Sequence, residues 1–128
     1  MGVWEEAASL SVTAGIGYDT PWRQVEAMLL QAGRKTAGVR ETPAPFVLEV
    51  SLNSFDITYE LTVFLEPGFP VNTVRAELNR KILDEFNRYG VQIMTPAYMA
   101  DPAKLAVVPQ GDWFAAPAKK DSEIEDLA

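Results

Sequence analysis

The sequence predicts an α+β sandwich in which a four-stranded antiparallel sheet carries two helices on one face. Three observations predict it: two stretches of helical periodicity, two alternating runs around a short polar turn, and one alternating run at each end. Their order is β-α-β-β-α-β. Two β-α-β halves with right-handed crossovers close this order into a ferredoxin-like fold.

The elements follow in order. Leu10, Val12, Ala14, Ile16 and Tyr18 alternate with Ser11, Thr13, Gly15 and Gly17, which reads as a strand with one buried face that Tyr18 closes. Thr20 suits a helix N-cap and Pro21 the first helical position, where its missing N–H costs nothing. Trp22, Val25, Leu29 and Ala32 recur at helical spacing with Met28 beside them, and Gly33 to Gly38 ends the helix. A stiff connector, Thr42-Pro-Ala-Pro45, leads to Phe46, Leu48, Val50 and Leu52, then the turn Asn53-Ser54. Phe55, Ile57, Tyr59, Leu61, Val63 and Leu65 alternate after it against Asp56, Thr58, Glu60 and Thr62, so the pair reads as a β-hairpin. After the loop Glu66–Pro70, a second helix places Val71, Val74, Leu78, Ile82, Phe86 and Tyr89 on one stripe. Gly90 stands where a left-handed cap belongs.

Val91 to Met94 is a short strand stopped by Thr95-Pro96. The expected organisation is a lead-in over 1–9, the domain over 10–96 and a mostly irregular extension over 97–128, with one further short strand possible at Leu105 to Val108. The sheet face away from the helices is expected to show Thr58, Thr62 and Glu49, and Trp22, Phe55, Tyr59 and Phe86 are core candidates.

Composition narrows the function classes. With 18 acidic against 11 basic residues the formal charge is −7, which disfavours nucleic acid and anionic membrane surfaces, since both attract basic faces. There is no cysteine and no histidine, so thiolate metal sites, disulfides and the commonest general base are absent. Apolar runs fall short of the roughly 20 residues that a membrane helix needs, and Met1 to Glu6 lacks the basic and apolar regions of a signal peptide. The chain as given is expected to be soluble.

No catalytic, metal or cofactor constellation emerges. Gly15-Ile-Gly17 begins a dinucleotide fingerprint, but Thr20 stands where the third glycine belongs, and both glycines fall on the polar side of a strand. An acylphosphatase-like phosphate loop would have only Arg23 and Asn53 to offer, with Asp19 placing negative charge where an anion must sit. Glu77 and Lys81, and Asp84 and Arg88, are spaced i, i+4 with the acid first, as on a solvated helix face with Glu85 among them. Asp121 to Asp126 lacks EF-hand spacing. The residues alone leave open a free-standing module that senses a small ligand.

Three segments resemble the C-terminal cytoplasmic domain of the MscS family of small-conductance mechanosensitive channels: "GIGYDTPWRQVEAMLLQA", "PAPFVLEVSLNSFDITYELTVFL" and "VRAELNRKILDEFNRYGVQIMTP". The first resembles the family's strand–Tyr-Asp–helix opening. The second carries its P-x-P-x-V start at Pro43, Pro45 and Val47, and the third its closing helix and proline-ended strand. The resemblance spans Leu10 to Pro96. It implies the βαββαβ fold just read, no enzymatic activity and no cofactor. It also implies a place in a homo-heptameric channel at the cytoplasmic face of the bacterial inner membrane, with this domain walling a vestibule that filters ions and osmolytes. Contacts with identical subunits are expected at Thr58, Glu60 and Thr62 of the hairpin and at Met94, Pro96 and Tyr98 beyond it. The residues Met94-Thr-Pro-Ala-Tyr98 depart from the aromatic-Pro and Gln that many members carry after the last strand.

Overall fold

The computed structural model describes residues 8–94 and 107–118. Among these residues its elements are β1 (Ser9–Gly17), α1 (Trp22–Arg34), β2 (Phe46–Leu52), β3 (Asp56–Phe64), α2 (Val71–Arg88), β4 (Ile93–Met94) and a 3-10 turn at Gln110–Asp112. The strands form one antiparallel sheet in the order β2-β3-β1-β4, the expected ferredoxin-like α+β arrangement.

Register decides which side chains share a face, because residues directly opposite across two strands point the same way. Leu10 pairs with Val63, Val12 with Leu61, Ala14 with Tyr59 and Ile16 with Ile57. These line the side covered by the helices, where Leu10, Ile16, Tyr59, Leu61 and Val63 are buried against Val25, Met28, Leu29 and Ala32 of α1 and Val74, Leu78, Ile82 and Phe86 of α2. Each fully buried large side chain contributes about 1.5–3 kcal/mol relative to exposure, so this inner layer holds the fold together.

Several expectations are corrected. The helix starts one residue late: Pro21 is the N-cap and no side chain caps α1, so Thr20 stands in the preceding turn, its N–H bonded to the Gly17 carbonyl at 3.4 Å. The helix does end inside the expected stretch, at Arg34: Gly33 is still within α1 and buried, and Gly38 takes φ +93° in the turn that follows. Tyr18 does not close the buried face. It is exposed, and its hydroxyl donates to the Asn53 carbonyl, tying the end of β1 to the hairpin turn.

Trp22 and Phe55 are not core residues either: Trp22 leaves the stripe at the first turn of α1, and Phe55 is 81% exposed in the hairpin turn. Gly90 takes the expected left-handed conformation after α2, with φ +70°.

Within α2, Glu85 departs from the solvated face. It is buried, and its Oε1 accepts from Lys35 Nζ at 3.0 Å and Arg88 Nη1 at 2.8 Å, so Arg88 pairs at i, i+3 with Glu85 rather than with Asp84. Lys81 does reach Glu77, at 3.8 Å. Arg88 also lies over the Trp113 ring, 5.5 Å from its centroid, and Asn87 Oδ1 accepts from the Val108 N–H at 3.0 Å. The segment 107–118 thus rests on the end of α2. Val107 and Val108 are not in a strand, and Leu105 and Ala106 lie outside the described residues.

Candidate subunit-contact face

The sheet side opposite the helices is the surface that the expected contact residues share. Thr58, Glu60 and Thr62 lie on this outer side of β3, opposite Gly15, Thr13 and Ser11 of β1. The Ser11 and Thr62 hydroxyls are 2.8 Å apart, an internal bond that uses up part of the polar character of the face. Met94 stands opposite Gly15 at the β4 edge and belongs to the same side. Pro96 and Tyr98 lie outside the described residues.

At the other edge the outer face turns apolar. Phe46 is opposite Thr62 and Leu48 opposite Glu60, so both point outward; they are 42% and 50% exposed. The Phe46 ring packs on Phe64 with centroids 6.4 Å apart, and Phe64 is itself opposite Ser9 on the outer side. A bulge between Glu49 and Ser51 then shifts the register at Val50, and Leu52 returns to the inner side opposite Ile57. The apolar set at Phe46 and Leu48 is outward, and Glu49 is not on the outer face: it stands opposite Tyr59 on the helix side. This corrects the expectation that Glu49 faces away from the helices. The signal that would have revealed this is the pairing of Glu49 with a core tyrosine, which only the register supplies.

The polar end of the face is tightly built. Asn53 Nδ2 donates to Asp56 Oδ1 and to Thr58 Oγ1, both at 2.9 Å, and the Asn53 N–H bonds the Asp56 carbonyl at 2.8 Å. The Asp56 carboxylate occupies the place where a Cβ on Gly15 would sit, and a Cβ on Gly17 would meet Asp19 Oδ1 at 3.0 Å. Gly15 and Gly17 are therefore close-approach positions, and carboxylates fill the space that a phosphate would need.

Chemically, the face offers threonine hydroxyls, the carboxylates of Glu60 and Asp56, a methionine and an aromatic–aliphatic edge, with no cluster of catalytic type among the described residues. Among the described residues no group of three or more Asp, Glu, His or Cys side chains is placed to hold a metal, and no helix is long and apolar enough to cross a membrane. These features define an α+β sandwich with one sheet side left uncovered by the helices.

Comparison with known proteins gives the class a family. The model of the family described as mechanosensitive ion channel MscS, C-terminal, matches residues 10–93. The chain belongs to that family. Among solved structures it is similar to the closed state of Helicobacter pylori MscS, with a TM-score of 0.64 at 14% identity, over 74% of this chain and 38% of that one. At that identity the likeness is one of fold. The chain spans well under half of that protein's length. A search of curated protein sequences returns no match.

Proposed function

We propose that this chain is the vestibule domain of a tension-gated channel: a non-catalytic wall element that assembles with identical subunits as a heptamer at the cytoplasmic face of a bacterial inner membrane. There it sieves ions and osmolytes during relief of osmotic stress. The observation that carries this reading is the family match over residues 10–93, the same span that folds into the ferredoxin-like sandwich. Membrane tension acts elsewhere in such a protein; this domain supplies rigid walls and subunit contacts.

The contacts are assigned to the outer sheet face: Thr58, Glu60, Thr62 and Met94, joined by Phe46 and Leu48; Pro96 and Tyr98, also expected at contacts, lie outside the described residues. An aromatic and aliphatic cluster left facing water costs hydrophobic free energy that a neighbouring subunit recovers. A ring requires a heterologous contact, in which this face meets a different surface of the next copy.

Patch recording from membranes containing the whole protein that carries this domain tests the reading. A conductance opened by suction, in cells lacking other mechanosensitive channels, is the expected result. Absence of any tension-dependent current from properly inserted protein would overturn it.

A further inference from the structure

We infer that the free edge of β2 docks an extended basic segment of another protein. That segment joins the sheet as an added strand, its apolar residues alternating with lysine or arginine. The inference does not rest on the channel reading, since it concerns the edge of the sheet and not the subunit contacts of its outer face.

The two edges of the sheet differ. In the order β2-β3-β1-β4, the β4 edge offers two residues, Ile93 and Met94, whereas the β2 edge runs over seven, Phe46–Leu52. Every second residue of an edge strand turns its N–H and C=O away from the sheet. Among the described residues, no strand and no loop backbone bonds that side of β2. Open edges are commonly guarded by lysine or proline, and β2 has neither. The bulge between Glu49 and Ser51 still leaves Phe46–Glu49 as a regular run. Leu48, Val50 and Leu52 are exposed along the strand, so the edge is apolar as well as open.

Charge selects the occupant. The hairpin 46–64 carries Glu49, Asp56 and Glu60 and no lysine or arginine. Neighbouring strands lie about 4.8 Å apart, so a side chain of an added strand reaches the exposed Glu49 directly, on the helix side. Glu60 of β3 is one strand further, about 10 Å away, beyond the screening length of about 8 Å at physiological salt. Glu49 is thus the charge that counts. It resists chance pairing, as inward-facing charges on edge strands do, and admits a strand of opposite sign. A second copy of this chain is the wrong occupant. Glu49 is the middle residue of β2, so two-fold antiparallel pairing sets it against its own copy, between chains of formal charge −7 each. A strand that places lysine beside Glu49 sets its apolar residues beside Phe46 and Leu48, because side chains alternate between the faces.

The probe is a short labelled peptide of strictly alternating valine and lysine, titrated into the full chain by fluorescence anisotropy and followed by amide hydrogen exchange. Saturable binding is expected, with exchange slowed in Phe46–Leu52 and unchanged in the two helices. Glu49→Lys weakens binding at least about tenfold. Glu77→Lys, an equal change of net charge in the acid–base cluster of α2, leaves the affinity within about twofold. Peptides of alternating valine and glutamate, or of alternating glycine and lysine, bind at least about tenfold more weakly, the first for its charge and the second for its lost apolar face. Four results would overturn the proposal: no saturable binding up to about 1 mM, binding that leaves exchange in Phe46–Leu52 unchanged, an affinity unmoved by Glu49→Lys, or equal weakening by Glu77→Lys. Dimerisation of the chain alone that slows exchange in the same strand would also overturn it, since the edge then belongs to a second copy.

Discussion

Removing the two cations around Glu85 should destabilise the domain far more than removing Glu85 itself. The carboxylate is 1% exposed, and its Oε1 takes both bonds, from Lys35 and Arg88, while Oε2 has no partner. Lys35 and Arg88 are 45% and 37% exposed, so without Glu85 they return to water at little cost. Without them the carboxylate stays behind, buried and uncompensated. Stranding a buried charge costs about 3–5 kcal/mol, whereas replacing a whole buried ionic group by a well-packed apolar one is often neutral.

Lys35→Met with Arg88→Met is therefore expected to lose about 3–5 kcal/mol, and Glu85→Leu alone to stay within about 1 kcal/mol of the native chain. Adding Glu85→Leu to the double variant should recover at least half of the loss. Loss of the Arg88–Trp113 stacking is common to the double and triple variants, so it cancels between them. Urea unfolding with a constant m-value reads these differences directly. A triple variant no more stable than the double one would refute the reasoning, as would Glu85→Leu proving the most damaging change.

Other expectations follow from the same structure. Gly15→Ala drives a Cβ into the Asp56 carboxylate and to 3.2 Å from the Met94 carbonyl. It should cost about 1–3 kcal/mol by overpacking, and Asp56→Ala in the same chain should return part of that in denaturant unfolding. Leu61→Ala, at the centre of the inner sheet face and fully buried, should cost about 2–5 kcal/mol in the same assay.

The Glu26 carboxyl is raised in the folded state, so the fold binds its proton more tightly than the unfolded chain does. Its ionisation penalty is fully present above the raised pKa and disappears as pH falls through it towards the ordinary value of 4.5. Glu26→Gln should thus gain stability at neutral pH, by less than about 1 kcal/mol because the half-buried group still reaches solvent, and should flatten the pH profile in that acidic window. Glu49 and Arg23 both act on this carboxyl, the first raising and the second lowering its pKa. A steeper profile in the variant would contradict the assignment.

Most of the fold was legible because periodicity reports burial. The inner rows Leu10–Ile16, Tyr59–Val63, Val25–Ala32 and Val74–Phe86 are each read correctly from spacing alone, and Gly90 marks the end of α2. What stayed hidden depends on pairing. Alternation in β2 cannot show which set faces the helices when the strand is at an edge, so Phe46 and Leu48 look like core and Glu49 looks like surface. Trp22 and Phe55 fit the apolar stripes but fall at the first helical turn and in the hairpin turn, where the stripe has nothing left to pack against. Glu85 reads as one more acid on a charged helix; its partner is Lys35, the cap just after α1, fifty residues away. The contact face was legible in part: Thr58, Glu60 and Thr62 are placed by alternation, while its apolar edge needs the register.

The claim that this domain meets its neighbours through the outer sheet face is tested most directly by thiol labelling at Leu48. The chain has no cysteine, so Leu48→Cys reports one position, and Leu83→Cys on the exposed side of α2 serves as the comparison. In the isolated chain both should react with a maleimide at similar rates. In the assembled whole protein, Leu48→Cys should be strongly protected relative to Leu83→Cys. Equal labelling of the two positions in the assembly would contradict the account.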